Sequence, residues 1–272
     1  MPQHSKTDPA TMRGMFTKAI VRPPAENFCD GLTTAKLGAP DYHLALEQHA
    51  IYCTALEQCG VELIRLEPDE RYPDSCFVED AAIMIGGQSA IVTRPGAASR
   101  QGEVDGIRDV LSRVFPSIGE IRSPGTLDGG DICEAGTHFL IGISERTNED
   151  GARQLARMLE SRGFTHDLVD IRGIKGLLHL KSGVAYLGSN TLIVTEALAN
   201  LNQFRGYNLM RVAPGEEYAA NCIEVNGLVL TAAGYPRLKA KLRDELDYAT
   251  VSLDMSEFEK MDGGLSCLSL RW

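Results

Sequence analysis

The sequence predicts an α/β protein in which five similar modules close into a ring around a central polar channel. The first observation is that the order strand, turn, strand, helix, strand recurs along the chain. The second is that a fifth copy begins near the C-terminus, while its remaining elements lie near the N-terminus. Because a closed ring leaves no free sheet edges, it would make one domain of residues 15–272. We expect residues 1–14 to form a flexible N-terminal extension.

The first two complete modules are marked by short apolar runs separated by glycine turns. In the second, Ala152, Leu155, Ala156 and Leu159 follow helical spacing. The first module comprises residues 76–80 and 81–85, a turn at 86–87, strand 90–94, helix 103–114 and strand 120–122. The second comprises strands 131–135 and 139–144 around Gly136, helix 149–162 and strand 167–171.

The third and fourth modules repeat this order. Asn226-Gly227 lies between two apolar runs, which is a strong signal for a β-hairpin. The third module comprises residues 178–187, a turn at 188–190, strand 191–195, a short helical piece and strand 209–213. The fourth comprises strands 222–225 and 228–232, helix 236–246 and strand 250–253.

The fifth module is divided between the two ends of the chain. Residues 265–270 supply its opening strand near the C-terminus. The strand at 16–21, the helix at 42–58 and the strand at 61–66 complete it from the other end. This division is the reason for predicting a closed ring.

Composition and charge restrict the function. The 272-residue chain has 27 basic and 37 acidic side chains, a formal charge of −10 and a pI near 5.1. Phosphate neutralisation needs clustered Lys and Arg, which the sequence lacks, so we expect no nucleic-acid partner. The apolar runs are far below the roughly 20 residues of a membrane span, and the polar N-terminus does not resemble a secretory signal. These features predict a soluble cytoplasmic protein, and the acidity suits a cationic small molecule.

The seven cysteines favour neither a disulfide framework nor a zinc site, since their number is odd and no CxxC pair is present. Most are expected to be buried thiols that pack as small apolar residues. We expect no metal, because no pair of candidate ligands has helical or hairpin spacing.

A ring would bring the starts of the modules together around its axis. Any one acid at a strand end is equally well explained as a turn former, but the group predicts a polar pocket. Its members are Asp74, Glu79, Asp80, Asp128, Asp131, His179 and Cys267.

This set suits nucleophilic attack on a planar cation. Cys267 follows the flexible Gly263-Gly264 turn, and a thiol with a pKa of about 8.5 needs a cationic neighbour to become a thiolate. That neighbour is either a protonated histidine or the substrate. His179 lies between Leu178 and Leu180, so a packed core histidine is an equally good interpretation. Carboxylates bind a guanidinium fork, and a histidine can protonate a departing amine and then activate water.

The motifs along the chain resemble those of the dimethylarginine dimethylaminohydrolases, a family of the guanidino-modifying superfamily. The resemblance covers nearly the whole chain after Gly14 and implies a five-bladed α/β propeller. The motifs are Asp30-Gly31-Leu32-Thr33-Thr34, Pro73-Asp74-Ser75-Cys76-Phe77-Val78-Glu79-Asp80, Thr93-Arg94-Pro95-Gly96-Ala97-Ala98-Ser99-Arg100, Thr126-Leu127-Asp128-Gly129-Gly130-Asp131, Arg146-Thr147-Asn148, His179-Leu180-Lys181 and Asp262-Gly263-Gly264-Leu265-Ser266-Cys267.

The resemblance implies three catalytic roles. Cys267 matches the nucleophile, His179 the general acid and base, and Asp128 the acid that partners the histidine. Some bacterial relatives have Glu at the position of Asp128, so this chain has a shorter side chain there.

It also implies how the substrate is held. Glu79 and Asp80 match acids on the guanidinium side, with Asp80 the direct contact, and Asp262 resembles an acid near the nucleophile. At the amino-acid end, the substrate contacts are Arg100 and Arg146 for the carboxylate, Asp74 and the Leu32 carbonyl for the amino group, and the Met261 carbonyl. The loop around Leu32, between Gly31 and Gly38, suits a closing lid or a static surface loop.

The implied reaction is hydrolysis of Nω-methylated arginine to citrulline and methylamine or dimethylamine, through a covalent thiouronium adduct and without a cofactor. Two alternatives stay open. One is an arginine deiminase acting on unmethylated arginine, although the deiminases of this kind carry longer chains. The other is a propeller that binds without catalysis. A homodimer is the expectation from the family.

Overall fold

Five three-stranded sheets are the framework of residues 15–272, the part of the chain that the computed structural model describes. The predicted flexible segment 1–14 lies outside the described residues. In every sheet the central strand pairs antiparallel with one neighbour and parallel with the other. This pairing is a hairpin followed by a helical crossover, so the predicted order of elements and the α/β propeller fold are confirmed.

The helices and strands alternate as the repeat requires. In the described residues the strands are β1 (Lys18–Val21), β2 (Glu62–Arg65), β3 (Ala82–Ile85), β4 (Ser89–Val92), β5 (Ile118–Glu120), β6 (Ile132–Ala135), β7 (His138–Ile143), β8 (Thr165–Asp170), β9 (Val184–Tyr186), β10 (Thr191–Val194), β11 (Asn208–Arg211), β12 (Ile223–Val225), β13 (Leu228–Ala232), β14 (Ala249–Leu253) and β15 (Leu270–Arg271). The α-helices are α1 (Tyr42–Gln58), α2 (Val104–Val114), α3 (Glu149–Glu160), α4 (Glu196–Ala199), α5 (Pro236–Leu246) and α6 (Ser256–Glu259). Among these helices, even the 17-residue α1 lacks the continuous apolar length of a bilayer-spanning segment.

The sheet order shows how the ends of the chain meet. The strands β15, β1 and β2 form one sheet, with Ile20 of β1 opposite Leu270 of β15 and Ile64 of β2. Neighbouring sheets adjoin through β15 and β3, through β6 and β9, and through β9 and β12. The opening strands of the modules therefore line the inside of the ring.

Two predicted strands were partly wrong, and in both the chain turns at the inner end of a sheet. Within residues 265–270, Ser266–Leu268 forms a 3-10 turn and β15 begins only at Leu270. Within residues 178–187, Leu180–Ser182 forms a 3-10 turn before β9. Buried apolar residues such as Leu268 and Leu180 look like strand residues in the sequence, but they are buried in turns.

Five 3-10 turns stand at the starts of the five modules and carry the polar residues of the ring axis. Contacts run between the first and second, second and third, third and fourth, and fifth and first of them. They are Val78–Ala81, Gly129–Asp131, Leu180–Ser182, Glu217–Ala220 and Ser266–Leu268. This arrangement places side chains from distant parts of the sequence in one small region.

The helices pack outside the sheets and bury apolar faces against them. In α3, Leu155 and Leu159 are fully buried between the helix and β7, as their helical spacing predicted. The helix begins where the Asn148 side chain accepts a hydrogen bond from Gly151 N, which satisfies one of the free N–H groups of its first turn. Rigid packing of this kind fixes the inner turns in position.

Candidate active site

A narrow pocket opens among the 3-10 turns at one end of the ring axis. Nine of the residues singled out in the sequence line it. Glu79 lies in the turn Val78–Ala81 beside it, and Asp128 directly precedes the turn Gly129–Asp131. The nine are Leu32, Asp74, Asp80, Arg100, Arg146, His179, Met261, Asp262 and Cys267. The ring therefore brings the candidate residues together.

His179 is held by a carboxylate that is itself fixed from two sides. Its Nε2 lies 3.1 Å from Asp128 Oδ2, and both side chains are buried. The other carboxylate oxygen of Asp128 accepts a hydrogen bond from Gly96 N at 2.8 Å. The Asp128 backbone donates to Thr147 Oγ1 at 3.1 Å. This network fixes the plane of the imidazole ring.

The imidazole of His179 is protonated at neutral pH. Burial alone lowers its pKa, but the carboxylates of Asp80 and Asp131 and the hydrogen bond to Asp128 outweigh burial and raise the pKa to about 9. A protonated His179 can donate a proton in a first chemical step.

Cys267 lies in the 3-10 turn Ser266–Leu268 with its Sγ 3.4 Å from Gly264 N. Burial raises the pKa of this thiol to about 12, and the carboxylates of Glu79 and Asp80 add to the effect. Without a ligand, Cys267 is therefore a thiol and not a thiolate. A cation in the pocket would offset the carboxylate charges and favour ionisation.

Asp80 is an ionised carboxylate at the floor of the pocket. Burial raises its pKa, but the positive charges of His179 and Arg100 outweigh burial and lower the pKa to about 2. Its Oδ1 accepts a hydrogen bond from Gly130 N at 2.8 Å, and its Oδ2 accepts one from Arg100 Nη1 at 2.6 Å. Asp80 therefore keeps a negative charge beside Cys267.

Arg100 is largely committed to protein groups. Its Nε and Nη2 bind Glu103, Nη2 also donates to the carbonyl oxygens of Asp74 and Phe77, and Nη1 binds Asp80. Of its five N–H groups, one on Nε, two on Nη2 and one on Nη1 are engaged, which leaves one N–H of Nη1 for a ligand.

Arg146 is less buried than Arg100, and its guanidinium makes fewer contacts with protein groups. It is half-buried at the rim of the pocket. Within residues 15–272, no protein hydrogen bond or ion pair engages its guanidinium. Arg146 is thus the better of the two for a bidentate contact with a ligand carboxylate.

Glu79 lies behind the pocket and is bound by two side chains. Its Oε1 accepts from Lys181 Nζ at 2.5 Å, and its Oε2 accepts from Ser266 Oγ at 2.8 Å. Glu79, Lys181 and Ser266 also line a separate cavity of about 110 Å³ farther along the ring axis. The Glu79–Lys181 pair therefore lies between the two cavities.

The loop that contains Leu32 and Thr34 is fastened by two carboxylates. Leu32 N donates to Asp74 Oδ1 at 3.0 Å, and Thr34 binds Asp262 through both its N–H and its hydroxyl. Leu32 is 41% exposed, and burial raises the pKa of Asp74. The loop covers the pocket in this structure.

Two residues of this network are not among those that the sequence singled out. Glu103 holds Arg100, and Asn221 accepts from Ser266 N at 2.9 Å. Asp131, which the sequence placed in the polar group without a role of its own, accepts hydrogen bonds from Ser144, Thr147 and Leu180 N. The signal for Glu103 is its three-residue spacing from Arg100, and that for Asp131 is its place in the Asp-Gly-Gly-Asp run.

A metal ion could reach three donors here. The ligand atoms of Asp80, Asp128 and His179 lie within 4.8 Å of one another. A metal would have to remove the proton from a histidine whose pKa is about 9 and displace the Arg100 contact with Asp80. The hydrogen-bond geometry therefore favours proton transfer over metal binding at these residues.

Comparison with known proteins finds two relatives that carry the same name. No family model matches the chain. It is 45% identical to N(G),N(G)-dimethylarginine dimethylaminohydrolase of Pseudomonas aeruginosa over 95% of this chain and 100% of that protein. It is 36% identical to the Streptomyces coelicolor enzyme of the same name, over 93% and 96% of the two chains.

A comparison with solved structures finds the same fold in one of these relatives. The Pseudomonas aeruginosa enzyme, as a Cys-to-Ser mutant complexed with citrulline, matches with a TM-score of 0.91 over 95% of this chain and 100% of that chain at 45% identity. The N-terminal domain of ArgZ, a cyanobacterial arginine dihydrolase, matches with a TM-score of 0.81 over 93% and 96% of the two chains. At 20% identity, the second match shows the fold alone.

Proposed function

The chain belongs to the dimethylarginine dimethylaminohydrolase family, and from this premise we propose that it hydrolyses Nω-methylated arginine to citrulline and methylamine or dimethylamine. The observation that carries the proposal is the grouping of the half-buried Cys267 thiol with the buried His179 imidazolium and Asp80 carboxylate in one pocket. A guanidinium cation complements this grouping in charge and shape.

The substrate enters with its guanidinium against Asp80 and its carboxylate at the rim. Arg146 supplies the main contact to the substrate carboxylate, and the one remaining N–H of Arg100 adds a second. The α-amino group faces Asp74 and the carbonyl oxygen of Leu32, with the Met261 carbonyl and Asp262 completing the wall. The segment 32–34, held by Asp74 and Asp262, covers the amino-acid end of the substrate and excludes water from the reacting carbon.

Substrate binding supplies the positive charge that Cys267 lacks. The cation lowers the pKa of the thiol, whose proton leaves to solvent. The Sγ thiolate forms a bond to the guanidinium carbon. His179 transfers its proton to the methylated nitrogen, the C–N bond breaks, and the neutral amine departs from an S-alkylthiouronium adduct.

Water completes the reaction, and in this step His179 accepts a proton instead of donating one. His179, now neutral and oriented by Asp128, accepts a proton from water as the oxygen attacks the adduct carbon. The C–S bond then breaks as the new hydroxyl becomes the carbonyl of citrulline, and its proton passes to sulfur, which restores the Cys267 thiol. The protein supplies nucleophile, acid and base, so no cofactor takes part in these steps.

The test is citrulline formation from asymmetric dimethylarginine, monomethylarginine and arginine at equal concentrations. We expect both methylated substrates to react faster than arginine, and Cys267→Ser to form no citrulline. Faster turnover of arginine would make the protein a deiminase. Binding of methylated arginine without any citrulline from the intact folded protein would support the binding-module alternative.

A further inference from the structure

The fourth of the five inner turns, Glu217–Ala220, holds the segment that carries Cys267. The residues that line the catalytic pocket come from other parts of the ring. Two side chains of this region, Tyr218 in the turn and Asn221 directly after it, instead bind the backbone of residues 263–266. We call these two side chains the clamp.

Asn221 joins the backbone beside the proposed nucleophile to the backbone beside the histidine. It is 7% exposed. Its Oδ1 accepts from Ser266 N at 2.9 Å, and its Nδ2 donates to Ser266 Oγ at 3.1 Å and to Lys181 O at 3.0 Å. Ser266 adjoins Cys267 in the sequence, and Lys181 lies two residues after His179. The hydrogen bonds of one side chain therefore link the two turns on which the chemistry depends.

The Asn221 side chain also fills the space beside Gly264. A Cβ at Gly264 would lie 2.6 Å from Cγ and 2.6 Å from Oδ1 of Asn221. The N–H of Gly264 in turn donates to Cys267 Sγ at 3.4 Å. Because these groups are closely packed, a change at Asn221 would move the amide that contacts the thiol.

Tyr218 binds the same segment one residue earlier. Its hydroxyl donates to Gly263 O at 2.8 Å. Burial raises the pKa of this phenol well above its ordinary value, so the hydroxyl keeps the proton that it donates. A Cβ at Gly263 would lie 2.2 Å from the Phe77 ring, so the segment is closely packed here as well.

We propose that Asn221, assisted by Tyr218, is a positioning residue that holds the Cys267 thiol in place relative to His179 for attack on the guanidinium carbon. Neither side chain of the clamp lines the catalytic pocket, so both act through the backbone of residues 263–266. A shift of about 1 Å in a reacting group can cost about a hundredfold in rate. Loss of the clamp should therefore lower kcat and leave substrate binding unchanged. This role rests on the proposed hydrolysis.

Steady-state kinetics of Asn221→Ala with asymmetric dimethylarginine test the role. We expect kcat to fall by at least about tenfold and KM to stay within about twofold of the parent value. Asn226→Ala is the matched control. The Asn226 side chain likewise accepts one backbone N–H and makes two donor contacts, but with Phe16 and Cys59 and outside the pocket lining. This control should keep the parent kcat within about twofold, although its unfolding temperature should fall at least as far as that of Asn221→Ala.

Alkylation of Cys267 by iodoacetamide gives a second readout, which needs no turnover. In Asn221→Ala the loosened turn lets water reach the thiol, so alkylation at pH 8 should be at least about threefold faster than in the parent. The buried Cys76 and Cys133 should stay unreactive, which separates a local change from unfolding.

Tyr218→Phe keeps the aromatic ring and removes only the hydroxyl. It should lower kcat by about fivefold with KM unchanged, and it decides the matter if Asn221→Ala does not fold. Parental kcat in the folded clamp variants would overturn the positioning role. An equal fall of kcat in Asn226→Ala, or parental alkylation of Cys267 in Asn221→Ala, would also overturn it. A parent protein that forms no citrulline, together with faster Cys267 alkylation in Asn221→Ala, would reject the proposed hydrolysis and still show that Asn221 positions the thiol.

Discussion

Lys181 Nζ lies 2.5 Å from Glu79 Oε1, although 102 residues separate the two in sequence. Glu79 is buried and also accepts a hydrogen bond from Ser266, which adjoins the proposed nucleophile Cys267. The pair lies between the catalytic pocket and the cavity of about 110 Å³ along the axis. It therefore neutralises a carboxylate that the ring buries, and it joins three of the inner turns.

Replacing Lys181 with Met should destabilise the protein by about 3 kcal/mol, because the Glu79 carboxylate would remain buried without its cation. The double variant Lys181→Met/Glu79→Gln should recover most of that loss. Urea unfolding measures both. Arg153→Met is the control, since its ion pair with Glu149 is exposed and should contribute at most about 1 kcal/mol. A Lys181→Met protein as stable as the parent would contradict the role assigned to this ion pair.

Alkylation of Cys267 by iodoacetamide in the free protein should be slow at pH 7. Its rate should rise with pH up to at least 10 without a plateau, because burial and nearby carboxylates raise the thiol pKa to about 12. Peptide mass spectrometry can follow each cysteine, with the exposed Cys29 as internal reference. A plateau below pH 8 would show that the free enzyme already holds a thiolate.

The alkaline limb of kcat should lie near pH 9, where His179 loses its proton while the bound substrate cation keeps Cys267 ionised. Asp128→Asn removes a carboxylate that holds that proton, so the limb should move down by roughly one pH unit. The same raised pKa stabilises the fold: this contribution is complete below pH 6.5 and is lost as pH rises through about 9. An unshifted limb in Asp128→Asn would assign it to another group.

Gly130→Ala should lower kcat by at least about tenfold while the protein stays folded. A Cβ at Gly130 would lie 2.7 Å from His179 Nδ1 and 2.9 Å from Asp80 Oδ1, so the added methyl group displaces both side chains. Gly206→Ala is the control, because a Cβ there would have no heavy atom within 4 Å. Circular dichroism and citrulline assays separate misfolding from displacement. Equal activities in the two variants would contradict the packing argument.

Arg146→Gln should raise KM by about tenfold or more and change kcat little, since its guanidinium is the one available for the substrate carboxylate. Arg100→Gln should instead reduce stability, because it leaves the buried Glu103 and Asp80 carboxylates without their cation. Steady-state kinetics and thermal unfolding distinguish the two. A large loss of stability in Arg146→Gln would contradict this division of roles.

The order of the elements could be read from the sequence because it depends on local patterns. The predicted helices 42–58 and 236–246 match α1 and α5 residue for residue. The Asn226-Gly227 turn joins β12 to β13 as its hairpin signal predicted. Periodicity and turn chemistry act over a few residues. They can therefore be recognised without knowing which distant residues pack against each element.

Local patterns in the sequence were enough to predict the five-module ring, and its motifs named most of the residues that line the pocket at the ring axis. Tertiary structure alone decided that Arg100 is bound by Glu103 and that Lys181 neutralises Glu79. It also decided that the His179 pKa rises while the Cys267 thiol stays protonated. Hydrogen-bond partners and pKa values depend on charges and burial that residues far away in the chain supply, and local sequence patterns do not reveal these.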